Sequence, residues 1–263
     1  MKQAIRALGW ATYILWLVIM IFSITAVYSA TQLGINLDTK NSRTSTSGGT
    51  MTLSVPFSIE NKGFYDISDL NITTIIQESN GVLVSNSSTV VPLISSGSKV
   101  DATHNISITL NNMTTASLSR LLFNNTEFNV DMSFALKYAR VIPLEISTEI
   151  KNFTWGAPLH NLTIGDIQSI ESYNTTHVRA VLPLSFENHS FFTLNGTVRT
   201  VIANTLNQKV GGSTTQINVH PQSGYSTQLS VFVSKSYGSL KEARLYFDFP
   251  SVFSYGPVVM PIG

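Results

Sequence analysis

Five histidines are the first candidates for chemistry in this chain: His104, His160, His177, His189 and His220. Imidazole can ligate a metal, move a proton or activate a nucleophile. Each use needs partners at a suitable spacing. No HxH, HExxH or Cys/His pattern occurs, and the chain has no cysteine at all. His104 falls in an alternating stretch, and His160, His177 and His189 fall in or beside polar turns. The expectation is surface or internally satisfied histidine, with no metal and no cofactor. No GxSxG elbow, phosphate loop or GxGxxG fingerprint is present. No catalytic residue is assigned, and the chain reads as non-enzymatic.

Oxygen-bearing side chains give three further patterns. Asp66-x-x-Asp69-x-Asn71 gathers calcium-type ligands. It reads as a solvated turn, because Thr193, Gly196 and Val198 stand in the matching places of a second, similar stretch. Glu60-Asn61 and Glu187-Asn188 are polar pairs shared by the two stretches. Each reads as an outward Glu followed by an Asn that bonds its local backbone in a turn. Sequons of the form Asn-x-Ser/Thr begin at Asn71, Asn86, Asn105, Asn112, Asn124, Asn152, Asn161, Asn174, Asn188 and Asn195. Chance at this composition gives roughly four to five. The excess predicts N-linked glycans, and many sequons without cysteine suit an archaeal cell surface better than a disulfide-rich secreted protein.

The elements that hold these residues begin with a membrane segment. Residues 7–37 carry no Asp, Glu, Lys or Arg. A helix over 8–30 would span roughly 34 Å, enough for a bilayer core of about 30 Å. Lys2 and Arg6 precede it, which places residues 1–7 in the cytoplasm and the rest of the chain outside. A cleaved signal peptide is the rival, with Val27-Tyr28-Ser29 as a passable site. The apolar run of about 18 residues exceeds the roughly 7–15 of a signal core. The net charge of +1 gives no sign of nucleic-acid binding.

Beyond the helix the chain repeats itself. VPFSIEN (55–61) and LPLSFEN (182–188) alternate in the same phase, with Pro, Ser, Glu and Asn at matching places. Pro56 and Pro183 predict an edge strand or a bulge. Paired aromatics follow at Phe64/Phe191 and Tyr65/Phe192, then a hairpin in each copy, with Asn80-Gly81 as a type I′ signal in the first. First strands are expected at 32–38 and 162–168. SLSRLLF (117–123) and SLKEARLYF (239–247) predict one short helix in each copy, and VIPL (141–144) and VMPI (259–262) are taken as matching ends. The expectation is all-β: two tandem immunoglobulin- or fibronectin-III-like antiparallel sandwiches, at 31–149 and 160–263. Residues 150–159 form a stiff linker, with Trp155 packed between the domains.

This order of elements resembles the folded branch of the late-embryogenesis-abundant proteins, the water-stress-and-hypersensitive-response domain. It carries a strand ending in Asn, a hairpin, a Gly turn, an alternating strand, a short helix and a closing φ-φ-Pro-φ pair. That family's strand usually ends in Asn-Pro, whereas here Lys62 and His189 follow the Asn. The resemblance implies a sandwich fold and a protective, structural or binding role. The function expected is therefore a single-pass, N-glycosylated protein at the cell membrane, partnered by other surface or membrane proteins. The alternative is a filament subunit that donates residues 30–38 as a strand after cleavage near Ser29.

Overall fold

Alternation of apolar and polar residues shapes most of this chain. The structure, a computed structural model, describes residues 2–236 and 238–262, with side chains from Trp10 onward except at Thr39. The orientation argument from Lys2 and Arg6 rests on side chains outside that set. An apolar helix, α1 (Lys2–Ala30), opens the chain. Its segment Trp10–Ala30 is long and apolar enough to cross a membrane, and nearly all of it stands clear of the body.

The first repeat holds eight strands: β1 (Leu33–Leu37), β2 (Arg43–Ser47), β3 (Thr50–Asn61), β4 (Ile67–Glu78), β5 (Leu83–Ile94), β6 (Ser98–Thr109), β7 (Thr126–Tyr138) and β8 (Ile142–Trp155). Helix α2 (Thr115–Phe123) links β6 to β7. One sheet has β6 along one side of β3 and the short β1 and β2 end to end along the other. The facing sheet runs β5-β4-β7-β8. The second repeat copies this plan. It holds β9 (His160–Ile164), β10 (Ser169–Ser172), β11 (His177–Asn188), β12 (Leu194–Asn204), β13 (Lys209–Val219), β14 (Ser223–Ser234), β15 (Leu240–Phe249) and β16 (Phe253–Pro261). β9 and β10 flank one side of β11 and β14 the other, while β13-β12-β15-β16 repeats the second sheet. Every pairing is antiparallel, as expected for a sandwich.

The shared prolines explain one detail of both copies. β3 is not an edge strand, since it pairs with β6 on one side and with β1 and β2 on the other. Pro56 lies in the gap between β1, which pairs with 57–61, and β2, which pairs with 50–54. Pro183 lies in the same gap between β9 and β10. A proline lacks the N–H that a ladder needs. The first strand is therefore split in each repeat. The Pro carbonyls still accept, from the N–H of Asp38 and of Gly165, both at 2.9 Å.

Several expectations are corrected. SLKEARLYF is strand β15, not a helix. Ala243, Leu245, Phe247 and Phe249 are buried at period two, and this pairing pattern overrides the serine cap signal. The first helix does form, but Thr114 caps it, its Oγ1 accepting from the Ser117 N–H at 3.3 Å. VIPL opens β8 while VMPI ends β16, so the two are not equivalent positions. The stretch 150–159 is strand as far as Trp155, leaving 156–159 as the connection. At the Asn80-Gly81 hairpin only Gly81 has positive φ, so the turn is not type I′.

The copies also differ in closure. β13 pairs with β14 at Gly211↔Val233 and Gly212↔Phe232, which joins the second repeat into one eight-stranded sheet. A Cβ on Gly211 would lie 2.4 Å from the Phe232 carbonyl oxygen, so only glycine permits this approach. Ile76↔Ser85 is the register that matches Ile202↔Gly211. There Ser85 Oγ donates to the Ser107 carbonyl at 2.6 Å, and Ser87 Oγ accepts from the Ser107 N–H at 3.2 Å. Side chains bridge in the first repeat what backbone bridges in the second.

The core follows the same division. Ala26 of α1 joins Phe57, Ile59, Ile67, Leu70 and Tyr138 in one cluster. A larger cluster fills the second repeat and extends into the first through Leu118, Leu121, Leu122, Phe128 and Trp155. Trp155 is fully buried, donates its indole N–H to the Leu121 carbonyl at 2.9 Å, and meets Phe128 on one side and Phe191 and Phe192 on the other.

Candidate functional site

Each repeat turns a corner at the end of its main strand, and a buried asparagine holds that corner. Asn61 Nδ2 donates to the carbonyls of Tyr65 (2.9 Å) and Ile94 (3.2 Å), and its Oδ1 accepts from the Gly63 N–H at 3.1 Å. Asn188 Nδ2 donates to the carbonyls of Phe192 (2.9 Å) and His220 (3.1 Å), and its Oδ1 accepts from the Ser190 N–H and Oγ. Both side chains are completely buried. Buried main-chain groups need partners, and the Asn amide supplies several at once.

This placement bears on one sequon. An N-linked glycan attaches at Nδ2, and Nδ2 of Asn188 is committed inside the fold. The folded chain therefore cannot carry a glycan at Asn188. Asn86, Asn105, Asn112, Asn124, Asn152, Asn161, Asn174 and Asn195 are exposed. Asn71 is half-buried and accepts from Ser88 Oγ at 2.7 Å.

Just outside the second corner three ligand-type side chains converge. β9 and β11 pair with a register shift that sets His160 opposite Glu187. His189 Nε2 lies 2.7 Å and His160 Nδ1 3.4 Å from the same oxygen, Glu187 Oε2. The two imidazoles stack with centroids 4.3 Å apart. Asn125, directly before β7, faces His189 Nδ1 at 3.1 Å, and its Oδ1 accepts from the Ala157 N–H at 2.9 Å. The hydrogen bonds from His189 first, then His160, hold the Glu187 carboxyl below its usual range. No short-range spacing announces this cluster, because His160 and His189 meet only across a ladder. The strand-end repeat of Glu-Asn is the one signal that marks its place.

The other candidates are separate. His104 is buried between Thr74 Oγ1 and Thr89 Oγ1, each at 2.9 Å, and burial lowers its pKa. His177 is bonded to Thr176 Oγ1 at 2.8 Å, and His220 is exposed. Asp66 pairs with Arg140 at 2.7 Å, Asp69 with Lys137 at 3.0 Å, and Asn71 with Ser88. These three point to different partners. A slot of about 420 Å³ opens between the sheets of the first repeat, lined almost wholly by apolar groups such as Leu53, Ile106, Ile108, Ile150 and Phe153.

No family model matches the sequence, and no curated protein matches it. Solved structures with partial likeness include a red sea bream transglutaminase at 15% identity and TM-score 0.28, covering 88% of this chain and 31% of that one. A glycosyl hydrolase family 2 member from Bacteroides cellulosilyticus DSM 14838 follows at 12% identity and TM-score 0.30, covering 82% and 28%. The periplasmic chaperone SfaE gives 13% identity and TM-score 0.25, covering 87% and 99%. This chain thus spans under a third of either enzyme. Likeness at this level says nothing of activity.

Proposed function

We propose that this chain is a single-pass membrane protein whose two sandwich repeats stand outside the membrane and act by binding or spacing rather than by catalysis. The observation that carries the reading is the joint between α1 and the first repeat. Ser29, in the last turn of α1, is completely buried. Its Oγ accepts from the Phe64 N–H at 2.5 Å and from the Tyr138 hydroxyl. One turn earlier Thr25 Oγ1 bonds the Tyr65 hydroxyl at 2.7 Å, and Phe22 packs edge-on against Tyr65. Cleavage near Ser29 would strip these groups from the core, which favours a retained anchor over a removed signal. The exposed sequons and the low charge fit a glycosylated cell-surface protein, and the likeness to the folded late-embryogenesis-abundant branch belongs to the same proposal.

The filament alternative has less support. Leu33–Leu37 already pairs with Asn61–Phe57 of its own chain, so the proposed donor strand is in use. The face offered to surface partners is β8, a long outer strand with Ile146, Ile150 and Phe153 exposed. The test is mass spectrometry of the chain taken from its native membrane after a high-salt wash. A retained N-terminus and sugars on exposed sequons are expected. An N-terminus near residue 30 with release into the wash would sink the anchor.

A further inference from the structure

We propose that His160, Glu187 and His189 bind one divalent transition metal ion of the zinc class. This goes beyond the anchored reading and does not depend on it. The three ligand atoms lie within 4.8 Å of one another. Zinc takes imidazole nitrogen and carboxylate oxygen at about 2.0–2.1 Å, and tetrahedral angles then set ligand atoms roughly 3.3–3.4 Å apart. The His160 Nδ1 to Glu187 Oε2 separation is 3.4 Å. The 2.7 Å contact from His189 Nε2 is that of a hydrogen bond, and it opens by about half an ångström when the ion replaces the shared proton, which leaves to solvent.

Two further features suit a metal. Metal-bound histidine usually has its other nitrogen fixed by an outer partner, and Asn125 stands at His189 Nδ1 in that role. Two imidazoles and a carboxylate without thiolate match zinc and its late first-row neighbours rather than calcium or magnesium. The chain also holds an internal control. At the first corner Gly34 pairs with Glu60 where His160 pairs with Glu187, and Lys62 follows Asn61 where His189 follows Asn188. There Lys62 Nζ itself neutralises the carboxylate at 3.1 Å, and no metal set exists.

The site has a structural consequence. His160 starts β9 immediately after the 156–159 connection, and Asn125 belongs to the first repeat. An ion held there ties the ends of β9 and β11 and, through Asn125, fastens the junction between the repeats. Three protein ligands also leave a fourth position for water or a partner's donor.

Titration calorimetry of the full chain in detergent with zinc chloride alone tests this, with cobalt(II) absorption as a second readout. One equivalent per chain and the visible bands of tetrahedral cobalt are expected. Glu187→Gln and His160→Ala should each weaken binding at least about tenfold, and Asn125→Ala roughly tenfold. His177→Ala should leave it unchanged. Circular dichroism confirms that each variant is folded, and His160→Ala, at a half-exposed strand start, is the variant least exposed to a folding defect. Absence of saturable uptake, or uptake undiminished in both Glu187→Gln and His160→Ala, overturns the proposal.

Discussion

The corners at Asn61 and Asn188 are built alike inside and differently outside. Inside, each asparagine satisfies the same backbone groups, two carbonyls ahead and an N–H two residues on. Outside, one corner carries a Lys–Glu pair and the other a His–Glu–His cluster. The difference teaches where duplicated folds are free to diverge. A buried amide that serves several main-chain groups has few replacements. A half-exposed carboxylate accepts whatever cation the neighbouring strand offers.

Removing the shared part should do the most damage. Asn188→Ala removes a donor from the Phe192 and His220 carbonyls, which keep Ser190 Oγ and Ser223 Oγ, and takes from the Ser190 N–H its acceptor at Oδ1, at about 1–3 kcal/mol for that buried donor. Asn61→Ala should cost somewhat less, since it has fewer bonds. Chemical denaturation of both variants measures the difference, and the reverse order would break the equivalence of the corners.

Closure of the repeats comes next. Gly211→Val drives a side chain into the β13–β14 contact and should cost about 1–3 kcal/mol, as overpacking does. Ser85→Ala in the first repeat removes one bond to the Ser107 carbonyl and should cost about 1 kcal/mol. Hydrogen exchange at β14 and β6 locates each loss.

The outer shells can be exchanged as a sharper test. Gly34 has ordinary backbone geometry, and a Cβ there meets only Glu60 atoms at 3.8 Å and beyond. The double variant Gly34→His, Lys62→His should therefore fold and take up a second equivalent of zinc. Uptake that stays at one equivalent would show that the two His side chains need what the first corner lacks, Asn125 or the register shift between β9 and β11.

The smallest effect is a pH dependence confined to the first repeat. Burial lowers the pKa of His104, so the fold favours its neutral form. The unfolded chain binds the proton at about pH 6.5 and the folded chain only below that. Stability is therefore full above about 6.5 and falls as pH drops towards the folded value. Thermal midpoints of the parent chain between pH 7 and 5 should fall more than those of His104→Gln. Parallel curves would exclude His104 as the source.

Most of the fold was legible because a period of two survives wherever one strand face is buried. VPFSIEN and LPLSFEN took up equivalent strands for that reason, and the expected antiparallel all-β fold is the one that forms.

 The strand read as a helix, β15, fits both periods over a short window, and only its neighbours β12 and β16 decide the matter. The split first strands were missed because β2 and β10 are short and mostly exposed, so little apolar pattern marks them. The histidine cluster was hidden for another reason. His160 lies 27 residues before Glu187 and meets it through a register shift that no local pattern encodes. The burial of Asn188 was only half visible: its role in the turn followed from its type, but the exclusion of a glycan needed the surrounding carbonyls.

The joint at Ser29 has a consequence for how the molecule stands. A helix that merely led into the body through a loose tether would let the sandwiches swivel and tilt. Here the last turn of α1 and the first repeat share hydrogen bonds and packed rings, so they turn as one piece. If a bilayer grips the helix, the elevation and compass bearing of every outward face are set by it. The chain would then work as a mast, presenting β8 to the same quarter of the membrane plane in every copy.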